Sequence, residues 1–118
     1  MVHFYYSIKD KYCLKVFTTA IYVSQLELLK EIDKMDIYYQ WKRDIANIIP
    51  YWDFMYPNSI TTNSDNYIDT SHIKQENGKY YFARIWNDKS VKVPDDFGVY
   101  VDKNNIDKHI GFLKDIIK

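Results

Sequence analysis

Apolar and polar positions alternate from the start of the chain: Val2, Phe4, Tyr6 and Ile8 interleave with His3, Tyr5, Ser7 and Lys9. A period of two marks a β-strand. Asp10-Lys11 supplies a turn, and residues 12–23 form a second strand rich in β-branched and aromatic side chains, so a hairpin is the simplest reading. The period then changes. Ser24 followed by Glu27 makes a capping box, which opens a helix through Leu28, Leu29, Ile32 and Met35. A second helical stripe runs Tyr38, Trp41, Ile45, Ile48 and Ile49. At about 100° per residue the two stripes point about 140° apart, which one straight helix cannot bury against one surface. A break at residues 35–37 follows, with Asp36 as second N-cap, and Pro50 ends the second helix.

Between Pro50 and Pro57 stand Tyr51, Trp52, Phe54, Met55 and Tyr56, five large apolar side chains. Residues 58–66 are polar and turn-like, and form the expected mobile loop. The rest reads as a sheet with a closing helix. Residues 67–74 fit a strand, Asn77-Gly78 a turn, and residues 79–86 the strongest strand, with Tyr80, Phe82 and Trp86 on one face and Tyr81, Ala83 and Ile85 on the other. Further strands are expected at residues 90–93 and 98–101. A helix from about Asn105 carries Ile106, Ile110, Leu113 and Ile117 on one stripe, with Asp102 or Asn104 as cap. The expected fold class is α+β: an antiparallel sheet of about six strands, two helices from the N-terminal half and a C-terminal helix packed on one face, in one domain over residues 1–118.

Composition narrows function mainly by exclusion. The glycines Gly78, Gly98 and Gly111 stand too far apart for a phosphate-cradling loop, and the single Cys13 excludes disulfide frameworks and Cys-based zinc sites. The 16 basic and 16 acidic residues cancel, and both halves of the chain are balanced, with only two arginines, Arg43 and Arg84. Nucleic-acid binders concentrate cations, so nucleic acid is the less favoured partner. The longest uncharged stretches fall far short of a membrane span. With no signal-like N-terminus, the expectation is a cytoplasmic protein, no membrane partner and Cys13 as a free thiol. Frequent Ile and Asn with few Ala, Gly, Pro and Arg point to AT-rich codons and an origin in a phage or mobile element.

Candidate chemistry is sparse. Asp65, Asp69 and His72 have helical ligand spacing but lie where loop and strand are expected, Cys13 reads as a packed thiol, and Asp95-Asp96 as a solvated turn. No catalytic residue, cofactor or metal is therefore assigned. The aromatic stretch is different in kind, since Trp, Tyr, Phe and Met are enriched at interface hot spots. The expected function is a small non-catalytic protein-binding module, an inhibitor, immunity or anti-defence protein. It would occlude a partner enzyme such as a toxin or defence enzyme. Trp52, Phe54 and Tyr56 are its expected anchors, and Asp95 and Asp96 its acidic rim.

Tyr80, Phe82, Arg84 and Trp86 on one strand face would make the alternative, a stacking platform for single-stranded nucleic acid. The order of that strand, Trp86, Lys92-Val93-Pro94, the 98–101 strand and a terminal helix with Leu113-Lys114-Asp115-Ile116 is similar to the transcriptional-coactivator family of single-strand DNA binders. The resemblance covers only the last third of the chain. It departs from the family in lacking basic content and in placing Asp95-Asp96 just before Gly98. The second alternative is a small enzyme with a site assembled from scattered residues.

Overall fold

The first two strands pair as the alternation predicts. In the computed structural model, which describes residues 2–7 and 13–117 with side chains from residue 14 onward, β1 (Val2–Ser7) runs antiparallel to β2 (Cys13–Thr18). The Asp10-Lys11 turn and the Cys13 thiol lie outside the described residues. β2 stops at Thr18, because the chain turns at Ala20, whose N–H donates to the Tyr81 hydroxyl at 2.9 Å and whose carbonyl accepts from Tyr67 at 2.7 Å.

Two helices follow, α1 (Val23–Glu31) and α2 (Met35–Ile48). The N-cap of α1 is Tyr22, so Ser24 lies inside the first turn and the expected capping box is not used. The break exists but falls at residues 32–34, where Asp33 takes the left-handed conformation at φ 57°. Asp36 sits in the first turn of α2, where its charge opposes the positive helix end.

β3 (Tyr51–Asp53) then enters beside β2, parallel to it, with Phe17 opposite Trp52. β4 (Val99–Val101) closes the sheet antiparallel to β3. The α+β class holds, but among the described residues the sheet has four strands in the order β1-β2-β3-β4 and is mixed, not six-stranded and antiparallel. Three expected strands are missing for separate reasons. Residues 67–74 make a single bridge, Tyr67 to Ile73. Residues 90–93 form no strand. The largest correction is at residues 79–86, which form a helix, α3 (Lys79–Trp86). Nearly every position of that run is apolar, so periods of 2 and 3.6 both fit it. Asn87, read as a β-turn residue, instead ends the helix in the left-handed conformation at φ 54°, and the Asp88 N–H closes back on the Ala83 carbonyl at 2.9 Å.

α4 (Ile106–Ile116) starts where the stripe predicts. Asp102 Oδ1 accepts from the N–H of Asn104 and of Asn105, at 2.9 and 3.0 Å. Asn105 Oδ1 accepts from Asp102 N–H, and its Nδ2 donates to the Tyr100 carbonyl at 2.8 Å, tying the helix start to strand β4.

The three expected helices pack together, Leu26 of α1 against Tyr38 of α2 and Leu113 of α4, while α3 covers the other side of the sheet. Val16, Tyr51 and Val101 pack with Ala46 of α2 and Ile106 and Ile110 of α4. Phe17 and Trp52 point the other way and pack with Tyr81 and Ile85 of α3, together with Phe54 and Phe97. Gly98 has to be glycine: its φ is +98°, and a Cβ there would stand 2.4 Å from Phe54 Cε1. The expected loop at residues 58–66 is closed on itself. Asn58 Oδ1 accepts from Ile60 and Thr61 N–H, Thr61 Oγ1 donates to the Tyr56 carbonyl at 2.7 Å, and Ile60 is buried. Among the described residues no helix is long and apolar enough to cross a membrane.

Candidate functional site

One charged residue, Asp53, stands inside the most apolar stretch of the chain. The pleat of β3 turns it, with Tyr51, towards α2 and α4, where both Asp53 and Lys42 are fully buried. A buried carboxylate requires donors, and Asp53 has four. Oδ1 accepts from Thr18 Oγ1 at 2.8 Å and from Met55 N–H at 3.0 Å. Oδ2 accepts from Lys42 Nζ at 2.5 Å and from His109 Nε2 at 2.7 Å. Lys42 Nζ also donates to the Met55 carbonyl at 3.0 Å and lies 4.5 Å from the Tyr38 ring centre. Tyr38 donates to that carbonyl too, at 2.5 Å.

Burial pushes the Asp53 carboxyl up, but the Lys42 ammonium and the His109 contact outweigh it and hold the group well below the usual carboxylate range. Burial draws the Lys42 ammonium down, and Asp53 opposes it. Burial first, and then the Asp53 charge, raise the Tyr38 phenol well above its ordinary value. The hub is therefore an ion pair with its hydrogen bonds met, linking β2, β3, α2 and α4. His109 is its outermost member. His109 also lines a groove of about 410 Å³, with Val99, Asn105, Lys108 and Phe112.

The residues expected to contact a partner divide. Phe54 and Tyr56 are 0% and 2% exposed and belong to the core. Phe54 packs edge-on to Tyr81 at 4.9 Å, and Tyr56 donates to the Asp96 carbonyl at 2.6 Å. Their faces are not presented to a partner in this structure. Trp52 is half-buried, stacked on Phe54 and 5.4 Å from the exposed Tyr100 ring. Lys15, Pro50, Trp52 and Tyr100 line a shallow depression, and Lys15 Nζ reaches 5.1 Å from the Trp86 ring centre. Phe82, one turn before Trp86 on α3, is exposed as well. Trp52 and Tyr100 thus make an aromatic pair on the α3 side of the sheet, with Lys15 between them and Trp86.

Asp95 and Asp96 lie apart from it, on a groove of about 520 Å³ with Ser59, Tyr80 and Lys92. Asp96 Oδ2 already accepts from the N–H and hydroxyl of Ser59, both at 2.8 Å. The strand face proposed for nucleic-acid stacking does not exist, because residues 79–86 are helical. At about 100° per residue, Tyr80 and Arg84 fall on one flank of α3 and Phe82 and Trp86 on the other. The Arg84 guanidinium is committed to the Phe97 and Pro94 carbonyls at 2.8 and 2.7 Å. Asp69 accepts from His72 Nδ1 at 2.9 Å, and among the described residues no three His, Cys, Asp or Glu side chains gather to hold a metal ion.

Comparison with known proteins finds no family model that matches the chain, and no curated protein or solved structure with significant similarity to it.

Proposed function

We propose that the chain is a non-catalytic protein-binding module of inhibitor, immunity or anti-defence type, encoded by a phage or mobile element, that occludes a partner enzyme. The observation that carries this reading is the aromatic surface centred on Trp52 and Tyr100. Trp and Tyr dominate interface hot spots. Trp52 is already fixed by Phe54 beneath it, at a ring separation of 6.5 Å, so little side-chain freedom is lost on docking. Trp52 remains an anchor in this reading. Tyr100 takes the place that Phe54 and Tyr56 cannot fill, and Asp95 and Asp96, on the separate groove beside Tyr80, would form a second, acidic contact. Occlusion requires complementarity of shape and charge and no reacting group of the inhibitor's own.

The test is co-purification of the tagged chain with the products of its neighbouring genes, followed by titration of any captured enzyme. Tyr100→Ala is expected to weaken capture by more than about 1 kcal/mol with an unchanged melting temperature, and Ile48→Ala, on α2, to leave capture intact. Equal capture by both variants overturns the reading. So does retention of a labelled oligonucleotide that is released as salt rises.

A further inference from the structure

The two outer strands of the sheet are unequal: β1 has six residues and β4 three. In the order β1-β2-β3-β4, one edge of β1 is taken by β2. Among the described residues its other edge is unpaired, and no helix packs extensively against the strand. An unpaired edge is a row of backbone donors and acceptors that can continue a sheet. Proteins that keep such an edge single blunt it with a lysine, a proline, a bulge or a covering element. Val2–Ser7 contains no Lys, Arg, Asp, Glu or Pro, and its register with β2 runs without a bulge from Val2↔Thr18 to Ser7↔Cys13.

The strand that fits this edge is another β1. An antiparallel copy is related to the first by a two-fold axis, so each chain gives and receives the same contacts and assembly stops at two. All six residues match, which makes about 20 Å of ladder at about 3.4 Å per residue. Addition of β1 to the β4 edge of a second copy would be head-to-tail and open-ended, and would match only three residues. With the two-fold at the middle of the strand, Phe4 and Tyr5 of both copies hold neighbouring register positions. Aromatic cross-strand pairs are favourable, and no like charges meet along the joint.

We infer that the outer edge of β1 is a dimerisation edge, through which two copies of this chain join by antiparallel β1 strands. The two four-stranded sheets then become one sheet of eight. Trp52 and Tyr100, on β3 and β4, are separated from the joint by β2, so the dimer presents that pair twice. The dimer stands whether or not the chain captures a partner enzyme, since its test uses the chain alone.

The test is sedimentation over a concentration series, with amide hydrogen exchange at the two ends of the series. A joint made mainly by strand pairing lies at the weak end of specific association, so a dissociation constant on the order of 10 to 100 μM is expected. In the monomer, β1 N–H groups that point away from β2 exchange freely. In the dimer the whole run is protected. Tyr5→Glu places a carboxylate opposite Lys15 within the hairpin, and two carboxylates beside the two-fold. It is expected to weaken association about tenfold or more, with the rest of the amide spectrum in place. Should that variant fail to fold, exchange in the unsubstituted chain decides the matter. A monomer mass that holds up to about 1 mM chain overturns the inference. So does a dimer that Tyr5→Glu leaves intact, or one in which alternate β1 amides still exchange freely. Protection of β1 only on addition of a captured enzyme, with the chain alone monomeric, also overturns it and assigns the edge to a strand of that enzyme.

Discussion

The two sides of the sheet are held by opposite means. On the side of α2 and α4, stability is directional: one carboxylate, one ammonium, one imidazole and one hydroxyl meet within hydrogen-bond distance, and each depends on the others. On the side of α3 it is a matter of area and shape, with Phe17, Phe54, Tyr81 and Phe97 packed ring against ring. A buried ion pair contributes little over an apolar equivalent, yet losing one partner is severe, whereas an aromatic cluster loses in proportion to the atoms removed. The hub therefore selects which strand and helices meet, while hydrophobic burial stabilises both sides.

The sharpest way to break the comparison is at Lys42. Lys42→Met leaves the Asp53 charge buried without a cation and is expected to cost about 3–5 kcal/mol in urea unfolding. The double variant Lys42→Met, Asp53→Leu should cost clearly less than the two single changes together. Additivity would show that the hub is not coupled. On the other side, Phe97→Ala should also cost about 3–5 kcal/mol, but adding Lys42→Met should then sum with it, since Phe97 packs on Phe54 and Tyr81 and touches no member of the hub. Gly98→Ala is expected to cost about 1–3 kcal/mol through its positive φ and its collision with Phe54.

Asp53 and Tyr81 titrate at opposite extremes of pH. The Asp53 carboxyl titrates below its ordinary value in the folded chain, so its stabilisation is complete above about pH 4 and is lost as pH falls through the folded value. Burial pushes the Tyr81 phenol up to about 12, so its contribution is complete below pH 10 and is lost as pH rises towards 12. Unfolding followed at both extremes should show Asp53→Asn flattening the acid limb and Tyr81→Phe the alkaline one. The smallest effect belongs to the exposed pair Arg43–Asp107, which joins α2 to α4. Arg43→Ala is expected to change stability by no more than about 1 kcal/mol, and by less in high salt.

Much of this plan was legible in the residues. The first pairing, the break between the two helices, the short strand at 99–101 and the last helix all follow from periodicity and punctuation. Residues 79–86 did not, because apolar residues at six of eight positions carry no unique period, and only the packing, with Tyr81 and Ile85 inward, decides it. The hub left a fainter signal. Lys42 is spaced four residues from Tyr38 and from Ala46, His109 sits between Ile106 and Ile110, and Asp53 interrupts an aromatic run. Three lone polar residues at apolar-face positions are the mark of a buried network, and their partnership is invisible until three distant segments are brought together. The aromatic stretch stood out by its composition, yet Trp52 and Phe54 lie on the same side of the sheet, and only the cover of Phe54 by Tyr81 and Phe97 buries it while Trp52 stays half-buried.

The small bracket made by Asn105 has a consequence of its own. β4 is an outer strand, and outer strands invite a stranger to continue the ladder. With only three residues and with the Tyr100 carbonyl already taken by Asn105, β4 gives a foreign chain very little to zip onto. The same amide that ties the start of the last helix to β4 thus helps keep the sheet finite at that edge, and there guards a neutral protein against sticking to its own copies.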